Sequence, residues 1–150
     1  MQGHPIEYRP IRHGSPDYLQ TLRLRDETLR RPWGHSIEED DLSGEGQDLI
    51  YGAFDGDRLV GMAILQNDGT PYNRLRYMAV DARYRGQGIG AAIARELESR
   101  SRMAGKAGIR LMARTHVLNF YKKLGYAVDG APFVPDHIPV EHVMMTLRFE

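Results

Sequence analysis

The chain reads as an α+β protein, a mixed sheet with helices on its faces. Three observations predict this. Short apolar runs of strand period, such as Leu49–Gln66, are separated by turn residues. Two stretches with apolar residues three and four apart interrupt those runs, one starting near Ser15 and one near Gly88. The length of 150 residues, with 41% hydrophobic and 27% charged, suits one domain over 1–150 with one ordinary core.

Each element has a local reason. Ile6–His13 reads as a weak strand. Ser15 is placed to cap a helix with Pro16 at its first position, and Leu19, Leu22 and Leu29 form an apolar stripe ended by Pro32. Residues 36–48, acidic and broken by glycine, read as a loop with a short helix. Leu49–Gln66 is a hairpin around Asp55-Gly56-Asp57. Residues 67–72 turn, and Arg74–Val80 is the next strand. Ile89, Ile93 and Leu97 lie four apart and predict a helix from about Gly88 to Ala104, closed by Gly105 and Gly108. Gly108–Arg114 is a strand with Ile109, Leu111 and Ala113 on one face. Val117–Tyr126 is a short helix ended by Gly125, and Glu141–Phe149 a final strand. The order is β-α-β-β-β, a loop, then α-β-α-β-β.

Bulk properties exclude several classes. Twenty basic residues balance twenty acidic ones, so no overall charge points to nucleic acid or a membrane surface. The lack of cysteine removes disulfides, thiolate nucleophiles and cysteine-ligated zinc, and suits a reducing, cytoplasmic setting. The N-terminus lacks a signal-peptide pattern. No apolar run approaches the roughly 20 residues of a spanning helix.

The glycines between Val80 and Ala94 carry the functional signal. Each glycine costs roughly 0.5–1 kcal/mol against alanine in regular structure. A P-loop needs Gly-Lys-Ser/Thr where this chain has Ala91-Ala92, which excludes it. The dinucleotide fingerprint matches as Gly86-x-Gly88-x-x-Ala91. It then expects a ribose-binding carboxylate about 20 residues on, where Ile109-Arg110-Leu111-Met112 offers none. A third reading includes Arg85, as Arg85-x-x-Gly88-x-Gly90. That stretch resembles the pyrophosphate loop of the GNAT superfamily of acyl-CoA-dependent N-acyltransferases. Unpaired N–H groups at a helix N-terminus favour an anion, and glycine admits it to the backbone. Residues 75–86 and 111–126 also resemble this family. The likeness is firm from Arg74 to Tyr126 and thin before Leu49.

The resemblance implies a mostly antiparallel sheet of roughly six to seven strands, splayed between the fourth and fifth, with helices on both faces. It implies acetyl-CoA as co-substrate, held by Met78, Ala79, Val80, Arg85, Gly86, Gln87, Gly88, Ile89, Gly90, Ala91, Asn119 and Tyr121, and no metal. A primary amine would attack the thioester directly through a tetrahedral intermediate. The Met78 N–H would stabilise the oxyanion, and Tyr121 would protonate the leaving sulfur. Without the resemblance, Tyr121 beside Phe120 is ordinary core material.

Two positions depart from the family. Arg74 stands where some members have a glutamate base, and Arg114 where an asparagine is common. A guanidinium cannot take the proton that an alkylamine, with a pKa near 10.4, must lose. His142 on the last strand is the candidate base, with His116 the other option; each is otherwise a surface or capping histidine. His137 and His142 do not make convincing zinc spacing. Residues 38–41, all acidic, form either a solvated loop or a steering patch for a cationic amine. Arg83, Lys122 and Lys123 are either partners for the CoA 3′-phosphate or surface charges. Trp33 is a core anchor or an acceptor-site wall. The acceptor would be a small molecule or peptide, with homodimerisation open at the last strand and the Pro132–Pro139 loop. The competing function is an acyl-CoA-binding regulatory module with little transfer, suggested by Arg74 in place of a base.

Overall fold

The computed structural model describes residues 5–136 and 138–150; His137 lies outside them. Seven strands form one sheet in the order β1-β2-β3-β4-β5-β7-β6. They are β1 (Ile6–Ile11), β2 (Leu49–Asp55), β3 (Arg58–Gln66), β4 (Tyr72–Val80), β5 (Gly108–Arg114), β6 (Ala127–Val128) and β7 (His142–Arg148). The helices are α1 (Pro16–Arg25), α2 (Ile89–Met103) and α3 (Leu118–Lys123). All neighbouring strands are antiparallel except β4 and β5. The expected mixed α+β sheet with helices on both faces is the observed one.

Each face has its own apolar cluster. Ile89, Ile93 and Leu97 of α2 pack over Leu75, Ile109 and Leu111, and α3 adds Tyr121. On the other face, Tyr18 and Leu24 of α1 pack over Ile50, Phe54 and Met62. Strand alternation sorts the residues between the two faces. Among the described residues α1 packs on β3 and β4, whereas α2 and α3 are the helices packed on β5.

Of the three leucines expected on the inward face of the first helix and its extension, Leu22 and Leu29 pack against the α1-side cluster, and Leu19 does not. Leu19 is 64% exposed, and the inward positions are Tyr18, Thr21, Leu24 and Arg25. The reason is ionic. The Arg25 guanidinium donates to both Glu45 oxygens, at 2.7 and 2.9 Å, and the Tyr18 hydroxyl donates to the same carboxylate at 2.7 Å. Arg25 also donates to Thr21 Oγ1 at 2.9 Å. This buried pair sets the helix rotation and ties down the loop that carries Glu45. Nor does Pro32 end the helix. The chain widens into a π-turn over Asp26–Arg30, tightens over Arg31–Trp33, and stops at Gly34 with φ +77°. Gly108 opens β5 rather than closing α2. That helix closes at Gly105, where the Gly105 and Lys106 N–H groups donate to the Arg102 and Ser101 carbonyls.

One irregularity positions everything downstream. β4 and β5 pair only from Tyr72–Arg74 to Gly108–Arg110. β5 then stays in register with β7 as far as Arg114 opposite His142. β4 stays with β3 but carries a β-bulge: Met62 faces Ala79 and Ile64 faces Arg76, so Tyr77 and Met78 share Ala63. Tyr77 has φ +57°, the one positive value at a non-glycine among the described residues. The two halves of the sheet diverge past Arg74, which is the expected splay.

Removing one partner of the Arg25–Glu45 pair leaves a buried charge. Glu45→Ala is expected to lower stability by about 3–5 kcal/mol, read from urea midpoints. The double variant Arg25→Met, Glu45→Leu is expected to regain most of that loss. A single-variant loss below about 1 kcal/mol would mean that the loop is anchored by other contacts.

Candidate active site

The splay opens a cleft of about 960 Å³, walled by β4, β5, the start of α2, α3, His142 and the chain following α1. Beyond Arg74, β4 residues have no partner on the β5 side, so their backbone groups on that edge face the cleft.

Asp81 sets the entry to the glycine loop. Its N–H donates to the Val60 carbonyl at 2.8 Å. Its carboxylate accepts from the Arg83 N–H at 3.0 Å and from the Arg83 and Arg58 guanidiniums at 3.1 and 3.2 Å. Hydrogen bonds from Arg83, joined by Arg58, hold the Asp81 carboxyl well below the usual carboxylate range. Arg83 is thus engaged with Asp81, while Lys122 and Lys123 are exposed on α3.

The loop's glycines do different things. Gly86 and Gly88 have φ of +79° and +82°, with open space where a Cβ would stand. Only glycine enters that region without strain. Gly88 caps α2, and the first helical bond runs from the Ala92 N–H to the Gly88 carbonyl. The Ile89, Gly90 and Ala91 N–H groups therefore have no acceptor within the helix. At Gly90 the constraint is packing: a Cβ would sit 3.0 Å from the Phe120 ring. Arg85 is exposed on the cleft wall; Gln87 and Asn119 are exposed and outside the lining.

Tyr121 reaches the cleft from α3. It is 6% exposed and packs edge-on against Phe120 and Tyr126, at 4.9 and 5.7 Å between centroids. Burial pushes its phenol pKa up, so it holds its proton at neutral pH. Across the cleft, His142 is buried with Nδ1 2.6 Å from the Val140 carbonyl. A carbonyl only accepts, so Nδ1 carries a hydrogen, which in the neutral form of the ring puts the lone pair on Nε2. His116 stands exposed on the cleft wall.

The opposite side of the cleft contains a network that local sequence did not reveal. The Tyr77 hydroxyl donates to Asp40 at 2.6 Å. Arg30 binds both oxygens of Asp40, at 2.9 and 2.5 Å, and both side chains are 7% exposed. Arg25 lies 4.6 Å from the Tyr77 ring centre and Arg76 lies 5.1 Å from it. Burial, and then the Asp40 hydrogen bond, push the Tyr77 pKa up to about 12. The acidic run is therefore not uniformly solvated loop, because Asp40 is built into the wall. Glu39 meets His35 at 2.8 Å and Asp41 binds Ser43. Trp33 is 39% exposed, under the Arg114 guanidinium at 5.6 Å, so it is not a core anchor. Sequence alternation does put Arg74 and Arg76 on one face; nothing local marks the bulge or pairs Asp40 with Arg30. Among the described residues no group of three or more His, Asp or Glu side chains is arranged to hold a metal ion. No helix there is long and apolar enough to cross a membrane.

A family profile for the acetyltransferase (GNAT) domain matches residues 22–149. The chain belongs to the GNAT acetyltransferase family. It is 34% identical over 108 residues to YjcF, an uncharacterised N-acetyltransferase of Bacillus subtilis (strain 168), covering 70% of this chain and 74% of that one. The fold is shared with Escherichia coli ElaA, at TM-score 0.77 and 21% identity over 95% of this chain and 99% of that one. It is also shared with a GNAT family acetyltransferase from Elizabethkingia anophelis with acetyl-CoA bound, at TM-score 0.72 and 16% identity over 96% and 98%. GNAT acetyltransferases transfer acyl groups from acetyl-CoA. An open strand edge, a left-handed glycine loop and a helix N-terminus meeting at one cleft fit such a thioester in this chain.

Tyr77 makes the alkaline stability testable. A tyrosine ionises near pH 10 in the unfolded chain, against about 12 in the fold. Its contribution is present below the unfolded value and is lost as pH rises through the folded one. Thermal midpoints are expected to fall over that window, and less steeply in Tyr77→Phe. That variant is also expected to lose about 1 kcal/mol at neutral pH with the Asp40 hydrogen bond. A slope unchanged by Tyr77→Phe would assign the alkaline loss to other groups.

Proposed function

We propose that the protein is an N-acetyltransferase that moves an acetyl group from acetyl-CoA to a primary amine of a small molecule or peptide. The observation that carries this reading is the splay itself. An unpaired β4 edge at Tyr77–Val80 opens on the same cleft as a protonated, buried Tyr121.

In this reading acetyl-CoA is the substrate that supplies an acetyl thioester. The Val80 backbone pairs with its pantetheine arm as a further strand would. The N–H groups of Ile89, Gly90 and Ala91 meet its pyrophosphate, with the α2 dipole favouring the anion. The Met78 N–H donates to the carbonyl oxygen as negative charge builds there. His142 Nε2 accepts the proton that frees the amine lone pair. The amine nitrogen bonds to the carbonyl carbon, the carbon–sulfur bond breaks, and Tyr121 protonates the departing sulfur. The second proton released at nitrogen restores the balance at Tyr121 through solvent. Arg74 cannot serve as the base, since a guanidinium holds its protons throughout this pH range.

Titration with acetyl-CoA, followed by thiol release over a panel of amines, tests the reading. Tyr121→Phe is expected to lower kcat by ~10²-fold or more with the acetyl-CoA Kd held. Gly88→Val is expected to weaken acetyl-CoA binding with the fold retained. No binding of acetyl-CoA, or an unchanged kcat in Tyr121→Phe, would count against the assignment. Tight binding with no release from any amine would favour a regulatory acyl-CoA-binding module.

A further inference from the structure

The cleft has two chemically different sides. Leu75 and Ala113 belong to the cluster under α2, so alternation turns Arg74, Arg76 and Arg114 to the other face of the sheet. That is the side away from the glycine loop and Tyr121. All three residues line the cleft.

Arg114 is the most exceptional of them. It stands at the end of β5, in register with His142. One Nη donates to the Leu29 carbonyl at 2.6 Å, and the group lies over the Trp33 ring at 5.6 Å. Burial, with Arg30 adding its like charge, pushes Arg114 down to about 10. Burial, followed by Arg76, lowers Arg74 as well. Arg76 stacks on Tyr77 and feels Asp41 and Asp48 only at longer range. Among the described residues, none of the three forms an ion pair with a carboxylate, although Arg30 in the same wall is paired with Asp40. Glu39 and Asp41, the other acids lining this side, are taken up by His35 and Ser43.

A half-buried guanidinium without a carboxylate is costly unless something anionic completes it. In the proposed reading the CoA pyrophosphate is met at the glycine loop, on the other face of the sheet. The anion on this side therefore belongs to the acceptor. We propose that the acceptor is an amine that also carries a carboxylate, an amino-acid-like molecule whose carboxylate is gripped by Arg114 with support from Arg74. Arg114 presents paired N–H donors that match a carboxylate bidentately, and its register beside His142 puts the amine end of such a molecule near the candidate base. A plain polyamine would meet like charge there. The proposal rests on the acyl-transfer reading and narrows its substrate.

Two measurements test it. In the first, thiol release from acetyl-CoA is followed with α-, β- and ω-amino acids, each beside its own carboxamide. The free acid is expected to exceed the carboxamide in kcat/KM on the order of 100-fold. Arg114→Gln is expected to cut that ratio by about tenfold or more through KM, with the acetyl-CoA Kd unchanged. The second measurement needs no turnover. Calorimetry compares binding of the N-acetyl amino acids and their N-acetyl carboxamides in the presence of CoA. Carboxylate-dependent binding that is lost in Arg114→Gln supports the proposal. Should that variant fail to fold, Arg114→Lys and Arg74→Gln serve, and the wild-type acid–amide comparison stands without them. Equal or inverted preference in either measurement overturns the carboxylate proposal and leaves acyl transfer intact. Absence of release from every amine counts against acyl transfer instead, and the calorimetric comparison then decides the carboxylate question by itself.

Discussion

Two neighbouring parallel strands stop pairing partway along, and the rest of the molecule is organised around that break. An interior strand edge with unmet N–H and C=O groups is costly unless something pairs with it. Here β5 stays in register with β7 along its length, while β4 follows β3 and bends away at the Tyr77–Met78 bulge. Each half of the sheet is internally satisfied, and the deficit is confined to the gap between them. α2 and α3 span that gap on one face, meeting where Gly90 lets the Phe120 ring approach. The opening therefore persists as a cleft with backbone donors on its wall.

The two faces bring different chemistry to that opening. On the α2 face, apolar packing surrounds Tyr121 and leaves its hydroxyl neutral. On the α1 face, arginines and carboxylates set the local field. Asp40 joins the chain after α1 to the bulge through Arg30 and Tyr77, so the strained residue in β4 is held by a buried ionic contact. Strain at a non-glycine in the left-handed region costs of order 1–3 kcal/mol and persists only where the surroundings over-determine it. The Arg25–Glu45 pair performs a related task one turn earlier, orienting α1 so that its C-terminal extension reaches the cleft.

How much of this could be read from the chain varied with the range of the interaction. The hairpin, the Ile89–Leu97 stripe and the Ile109–Ala113 alternation all follow from local period, and each element is where that period puts it. The glycine loop is legible for the same reason, because a left-handed cap before a helix is a local demand. Leu19 misled because a leucine at helical spacing looks inward until a buried arginine claims that face. Residue type left two readings open for Trp33 and for Asp40, and tertiary partners decided against the core anchor and against the solvated loop.

The sequence by itself determined the element order, the α+β class, the loop at the start of α2 and the family to which that loop and its neighbours belong. Those properties depend on residues within a few turns of one another, where sterics and period leave little choice. Only the tertiary structure decided which face of α1 is buried, where β4 bulges, and which guanidiniums in the cleft lack a carboxylate. Those depend on pairings across 10 to 85 positions in the chain, such as Arg30 with Asp40 and Arg114 with the Leu29 carbonyl. Electrostatic balance at a site is a sum over groups brought together by folding, and no local pattern encodes it.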